Sequence, residues 1–233
     1  MENVVVCRGL SRVYTSDAVP VHALHDVDFD VAPGDFVSLS GPSGSGKSTL
    51  LNLIGALDRP TEGRVTVDGV DLATLSDSQL ADLRLTKIGF VFQAYNLIPV
   101  LSARENVEFI MQLQGVSAAE RRERALDILD ALGIGELAER RPGQLSGGQQ
   151  QRVAVARAIV TRPALLLADE PSANLDSKTT ETLLELLQRI NVERSVTIVT
   201  ATHDPIVIRY ARRSVRLKDG RIEADERTPA ATA

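Results

Sequence analysis

Nine consecutive residues constrain this chain more than any other segment: Gly41-Pro42-Ser43-Gly44-Ser45-Gly46-Lys47-Ser48-Thr49. They fit the pattern G-x-x-x-x-G-K-[ST] of a phosphate-cradling loop. Glycines let backbone N–H groups approach phosphate oxygens closely and permit positive φ. The apolar run Phe36-Val37-Ser38-Leu39-Ser40 ahead of the loop reads as a strand, and Ser48–Leu57 behind it as a helix. The helix adds the positive end of its dipole to the cradle. Lys47 supplies a full charge for the β and γ phosphates, and the Ser48 hydroxyl suits Mg²⁺. These residues point to a bound nucleoside triphosphate.

The rest of the chain must build a fold around that loop. Its 233 residues make one large domain, or one domain with an insertion, and 43% hydrophobic with 24% charged residues is a globular composition. The net charge of −5 is a poor match for dominant nucleic-acid binding, so no nucleic-acid partner is expected. The single cysteine, Cys7, fits a reducing compartment. The longest apolar runs, such as Leu50–Leu57, fall far short of the roughly 20 residues of a spanning helix. Met1-Glu2-Asn3 does not read as the start of a secretory leader. A cytosolic chain that reaches a membrane only through a partner is the expectation.

Strand signals recur along the chain: Val27–Val31 with period two, Val65 and Val67, the compact run Ile88–Phe92, Ala164–Ala168 and Ser195–Val199. Between 94 and 158 the pattern turns helical, opened by the Ser-x-x-Glu capping signatures Ser102–Glu105 and Ser117–Glu120. A helix over Leu183–Ile190 has Asp176 as its N-cap, and Lys218-Asp219-Gly220-Arg221 reads as a hairpin turn. The tail after Arg227 reads as frayed. Strands alternating with helices argue for a mainly parallel α/β sheet.

Leu165-Leu166-Leu167-Ala168-Asp169-Glu170 puts two carboxylates at the C-terminal end of a buried strand, the edge where α/β sheets collect ligands. Beside a Mg-nucleotide, Asp169 can hold the metal and Glu170 can orient or deprotonate the attacking water. His203 follows the next strand at the same edge, within reach of a γ-phosphate; His22 and His25 read as surface residues. A second glycine cluster, Leu145-Ser146-Gly147-Gly148-Gln149, precedes an apparent helix over Gln150–Val160. It is either a helix cap with a flexible turn or a second anion cradle. One nucleotide needs one cradle, so the second points to a nucleotide held by another copy.

With these segments in this order, the chain resembles the ATP-binding subunit of ABC transporters. Gly41–Thr49, Gln93, Leu145–Gln149, Asp169-Glu170, Ser172–Asp176 and His203 carry the resemblance, which covers nearly the whole sequence. It implies an α/β P-loop NTPase (RecA-like) core with an N-terminal antiparallel β subdomain over 1–93 and 159–233, and an inserted α-helical subdomain over 94–158. It implies roles too. Tyr14 matches the aromatic that stacks on adenine, and Gln93 matches the residue that senses Mg²⁺ and water. Glu170 matches the catalytic carboxylate and His203 the switch histidine; Lys47 serves phosphate and turnover; Ser48, Gln93 and Asp169 would hold Mg²⁺. Ser146, Gly147 and Gly148, flanked by Leu145 and Gln149, match a signature that touches ATP on the opposite subunit, and Asp176 matches a loop joining the two sites. An ATP-driven head-to-tail homodimer and an integral-membrane permease follow as implied partners.

Leu51–Gly63 and Gly89–Pro99 look like the lipoprotein-release and macrolide-export branch, with importer and cell-division ATPases as close relatives. Tyr95–Leu101 is expected either to line a groove for a permease helix or to be ordinary core. A soluble ABC-type ATPase acting on nucleic acid or ribosomes would usually carry long coiled coils, zinc cysteines or two ATPase units. A metabolite kinase or GTPase would leave Leu145–Gln149 without a role.

Overall fold

The computed structural model describes residues 2–16 and 19–227. The tail after Arg227 therefore lies outside the described residues. The strands are β1 (Val5–Ser16), β2 (Val19–Val31), β3 (Phe36–Ser40), β4 (Glu62–Val67), β5 (Val70–Asp71), β6 (Ile88–Phe92), β7 (Leu165–Asp169), β8 (Thr197–Ala201), β9 (Arg213–Lys218) and β10 (Arg221–Arg227). The helices are α1 (Lys47–Ile54), α2 (Asp77–Lys87), α3 (Ala103–Leu113), α4 (Ala118–Ala131), α5 (Gly147–Ile159), α6 (Ser177–Arg194) and α7 (Pro205–Tyr210).

Two sheets result. A six-stranded sheet runs β10-β9-β3-β8-β7-β6, parallel except for the β9–β10 hairpin. An antiparallel sheet runs β2-β1-β4-β5. The central strands are apolar on both faces, as a sheet covered on both sides requires. Phe36, Leu166, Ala168 and Ile198 face the helices α3–α6, in one core with Val107, Leu129 and Val155. Their neighbours Val37, Leu39, Leu165, Leu167 and Val199 face the other way, packing with Leu50 and Leu53 of α1 and with Val5, Phe29 and Val67 of the antiparallel sheet. Cys7 is buried in that second core, and burial pushes its thiol up to about 12, leaving it inert.

Register decides which residues meet. Phe92 pairs with Asp169, Asp169 with Ala201, and Leu39 with Ala201. The next residues on each strand, Gln93, Glu170 and Thr202, together with Ser40 leading into Gly41, therefore leave the sheet along one edge.

Several local expectations shift. The helix after the phosphate loop ends at Ile54, short of Leu57, because Gly55 closes it and Ala56 takes φ 54°. The strand expected at Ser195–Val199 begins at Thr197, since Ser195 is the left-handed C-cap of α6. The helix expected at Gln150 begins at Gly147, so both signature glycines lie in its first turn. Ser102–Glu105 forms the full reciprocal capping box, whereas Ser117 only accepts from Glu120 N–H. Asp176 caps α6 as expected, and Asp219 and Gly220, at φ 48° and 73°, turn the β9–β10 hairpin.

Candidate nucleotide site

The phosphate loop is shaped by two glycines that nothing else can replace. Gly41 has φ 140°, and a Cβ there would lie 2.1 Å from Leu217 O. Gly46, the N-cap of α1, has φ 102°, and its Cβ would lie 2.6 Å from Ala23 O. Without a side chain, Gly46 cannot cap α1, and no acidic residue lies in the first turn. By contrast α2, α3, α5 and α6 are each capped by a Ser or Asp side chain. The orphan N–H groups of α1 face an anion's position, in the helix best suited to one. Ser45 Oγ is buried beside them with no hydrogen-bond partner.

Lys47 Nζ donates to Gly41 O at 2.8 Å and to Pro42 O at 2.9 Å. An ammonium has three protons, so a third donor is left for a phosphate oxygen. Ser48 Oγ donates to Asp169 Oδ1 at 3.1 Å, tying the loop to the end of β7. Burial is the main cause that pushes the Asp169 carboxyl above its ordinary value; Glu170 pushes the same way, while Ser48 and Lys47 oppose.

Glu170 sits in a left-handed conformation, φ 46°, held by its N–H to Ala201 O at 2.9 Å. Its Oε1 lies 2.8 Å from His203 Nδ1, and its Oε2 is buried without a partner. His203 is largely exposed, 71% against 18% for Glu170. The pair can therefore meet a reacting group from the open side while the carboxylate stays desolvated, the setting in which a general base works.

Tyr14, the loop residues Pro42–Thr49, Gln93, Glu170 and His203 line one cavity of about 770 Å³. His22, exposed as expected, also lines it and stacks on His25 with ring centroids 5.1 Å apart. The signature lies elsewhere. Ser146 caps α5, with Ser146 Oγ accepting from Gln149 N–H at 3.3 Å and Gln149 Oε1 from Ser146 N–H at 2.8 Å. Leu145 is buried behind it. Ser146–Gln149 line a separate concavity of about 400 Å³ with Asn174, Asp176 and Thr179, sharing no residue with the first. Thr179 holds Asp176 by two hydrogen bonds, which lower that carboxyl's pKa.

Asn174, from the Ser172–Asp176 segment, and Arg157, which carries no sequence signal of its own, bridge the sites. Asn174 Nδ2 donates to Gln93 O at 3.0 Å. Arg157 of α5 donates to Asn96 O at 2.6 Å and Tyr95 O at 2.9 Å, the carbonyls of two left-handed residues that follow Gln93 and Ala94.

This geometry agrees with the comparisons. The family model described as ABC transporter matches residues 24–173. The chain belongs to the ABC transporter family. A macrolide export ATP-binding/permease protein MacB of Syntrophobacter fumaroxidans is 49% identical over 96% of this chain and 32% of that protein. A lipoprotein-releasing system ATP-binding protein LolD 2 of Caulobacter vibrioides is 46% identical over 94% of this chain and 96% of that protein. Among solved structures, the dimeric ATP-binding cassette of Methanocaldococcus jannaschii, in a post-hydrolysis state bound to ADP and Pi, superposes with a TM-score of 0.90 at 45% identity, over 97% of this chain and 99% of that chain. The chain is thus an ATP-binding, ATP-hydrolysing subunit of an ABC transporter, built on the P-loop α/β fold.

Proposed function

We propose that this subunit powers a transporter of the lipoprotein-release or macrolide-export type, and that it works as a head-to-tail pair. The observation that carries the pairing is the separation of the two glycine elements into concavities with no common lining residue. Each half-site lacks what the other displays, so a second copy supplies the signature of the first copy's nucleotide. In the pair, Gly41–Thr49 grip the phosphates and Tyr14 meets the base. Ser146, Gly147 and Gly148, in the first turn of α5, close over the γ-phosphate in trans.

Mg²⁺ fits this site. The donors are hard oxygens, the Ser48 hydroxyl and the Asp169 carboxylate, and a cation beside Asp169 offsets the burial that now disfavours its charge. Among the described residues no cluster of three His, Cys, Asp or Glu could hold a metal alone. The nucleotide's own oxygens and Gln93 would complete the set. When bound, the ion neutralises developing phosphate charge. Glu170 takes the proton of the attacking water, and His203 holds the Glu170 carboxylate and the γ-phosphate side in place. Loss of the γ-phosphate removes the bridge between the copies, and the pair reopens.

The partner that receives this motion is an integral-membrane permease, which places the subunit on the cytoplasmic face of the membrane. No helix among the described residues is long and apolar enough to cross one. An apolar groove of about 600 Å³ runs between α2, β6, α3 and α5, lined by Leu57, Leu85, Phe90, Phe92, Ile110 and Leu113. A permease helix is its occupant; the relative named an ATP-binding/permease protein, matched over 32% of its length, supports that choice. Of Tyr95–Leu101 only Asn96 reaches this groove, and Leu97 packs against the core instead. The division at 94–158 would make the three helices α3–α5 the unit that moves with the permease.

The test is Glu170→Gln. The variant should bind Mg-ATP, lose about 10²-fold or more in turnover, and elute as a dimer with ATP but as a monomer without it. Undiminished turnover would remove Glu170 from catalysis, and a strict monomer at high concentration would remove the pairing.

A further inference from the structure

Tyr14 lines the nucleotide cavity beside Val21, His22 and Ala23, away from the phosphate loop, and the structure shows how its ring is held. Four hydrogen bonds stitch the end of β1 to the loop after α1. Thr61 N–H donates to Ser11 O at 2.9 Å, and Val13 N–H to Thr61 Oγ1 at 3.0 Å. Arg12 Nη2 donates to Asp58 Oδ1 at 2.9 Å, and the Tyr14 hydroxyl to Asp58 Oδ2 at 2.9 Å. Asp58 Oδ1 also accepts from Arg59 N–H at 2.8 Å, so both carboxylate oxygens are occupied.

The Arg12 guanidinium then lies over the Tyr14 ring, with Cζ 4.5 Å from the centroid. Arg12 and Asp58 are 23% and 25% exposed, and Arg12 Nε is buried with no hydrogen-bond partner. A guanidinium placed for hydrogen bonding alone would not leave that donor unused; its position is set by the ring and by Asp58 together. Tyr14 lines the nucleotide cavity, whereas Arg12 and Asp58 do not. With the cation over one face of the ring, the opposite face is the one left for a ligand.

We propose that Asp58 and Arg12 are positioning residues that lock Tyr14 as a preset stacking platform for the nucleotide base. The proposal rests on the reading of this cavity as the ATP site. Its physical content is preorganisation. A tyrosine free to rotate loses rotamer freedom when a base stacks on it; a ring pinned at its hydroxyl and at one face has lost that freedom already. Helix α1 links the two ends of the site, because its N-terminus at Gly46 faces the phosphates and Asp58 follows its C-terminal end. The platform offers a π-face and no base-edge reader, so it favours any planar base over none and contributes little to choosing among bases.

The experiment compares binding of a fluorescent N-methylanthraniloyl ATP with that of Mg-tripolyphosphate, which has phosphates but no base. In Asp58→Ala, affinity for the fluorescent ATP should fall about tenfold, with KM for ATP rising in step and kcat at saturation within about twofold. The dissociation constant of tripolyphosphate, obtained from its displacement of the probe and corrected for the probe's weaker binding, should be unchanged. Asp58→Asn, which can still accept from the Tyr14 hydroxyl, should recover part of the loss. In a Tyr14→Ala background, Asp58→Ala should add nothing.

Unchanged nucleotide affinity in Asp58→Ala, an equal loss for tripolyphosphate, or a full additional loss in the Tyr14→Ala background would each overturn the proposal. If Tyr14→Ala itself leaves nucleotide affinity intact, the base-stacking role of Tyr14 fails and the platform with it. Should Asp58→Ala not fold, Arg12→Met removes the cation while leaving the Tyr14–Asp58 hydrogen bond. The same assay then decides: about a threefold loss confined to the base-bearing ligand supports the lock, and no loss overturns it.

Discussion

Asp169 shows how a single side chain can be wrong for stability and right for chemistry. Burial raises its pKa, so the folded protein holds its proton more tightly than the unfolded chain does. For an acid shifted that way, stability is fullest below the unfolded pKa and is lost as pH rises through the folded one. At neutral pH the charged carboxylate is therefore a cost. Asp169→Asn should raise the melting temperature of the nucleotide-free protein at pH 7 by about 2 °C while abolishing Mg²⁺-dependent turnover. The gain should shrink as pH is lowered toward the ordinary carboxylate range, because the wild type then takes up the proton that relieves the same cost. Calorimetry at several pH values checks this; a gain independent of pH would show that some other contact is responsible. The sequence exposes Asp169 and Glu170 because they follow an apolar strand. The contacts of Asp58, Asn174 and Arg157 are not legible there, since their partners Tyr14, Gln93 and Tyr95 are between 44 and 81 positions away.

Elements are legible where an apolar run is short and continuous. β3 and β6 match their apolar runs residue for residue: β3 is buried throughout, and β6 keeps its run although Phe90 and Phe92 open onto the groove. β1 has no clear sequence signal, because register shifts at Cys7–Leu10, Leu10–Arg12 and Arg12–Val13 break the alternation that marks a strand. α2 has a weak one, since only Leu80 and Leu83 are buried on it. Propensity puts the start of α5 at Gln150, because a helix is not expected to open on two glycines; the Ser146–Gln149 capping box overrides that weak propensity. α5 also carries Arg157, whose guanidinium, its pKa lowered by burial, grips the two strained carbonyls after Gln93. A lysine ammonium is a single point donor and lacks the planar fork whose Nη1 and Nη2 reach one carbonyl each here. Arg157→Lys should therefore cost about 1.5 kcal/mol, or about 4 °C in Tm, by loss of one charge-assisted hydrogen bond. It should also lower kcat about tenfold with ATP affinity unchanged, as Gln93 loses its fixed position. A drop in Tm with kcat intact would reduce Arg157 to a structural clamp.

At the scale of the whole molecule, the parallel sheet gathers phosphate loop, acidic pair and histidine on one edge, while the signature opens a different concavity on the helical side. Asn174 and Ala173 stand next to each other in sequence yet line different concavities, and Asn174 ties its own to Gln93. The molecule thus presents two separate concavities joined by the Asn174–Gln93 hydrogen bond, the arrangement that the proposed head-to-tail pair requires. That arrangement makes a prediction that no single-site enzyme shares. In the hydrolysis-deficient Glu170→Gln background, adding Ser146→Arg should leave the affinity of the monomer for fluorescent ATP within about twofold, because the altered side chain faces the other concavity. It should nevertheless abolish the ATP-induced dimer, since a bulky cation then occupies the surface meant for the partner's nucleotide. Binding measured at low protein concentration and light scattering at high concentration separate the two effects. If Ser146→Arg weakens binding to the monomer as strongly as it weakens pairing, the signature acts on its own chain's nucleotide and the split-site reading is wrong. A dimer that survives the substitution would instead place the contact between copies on another face.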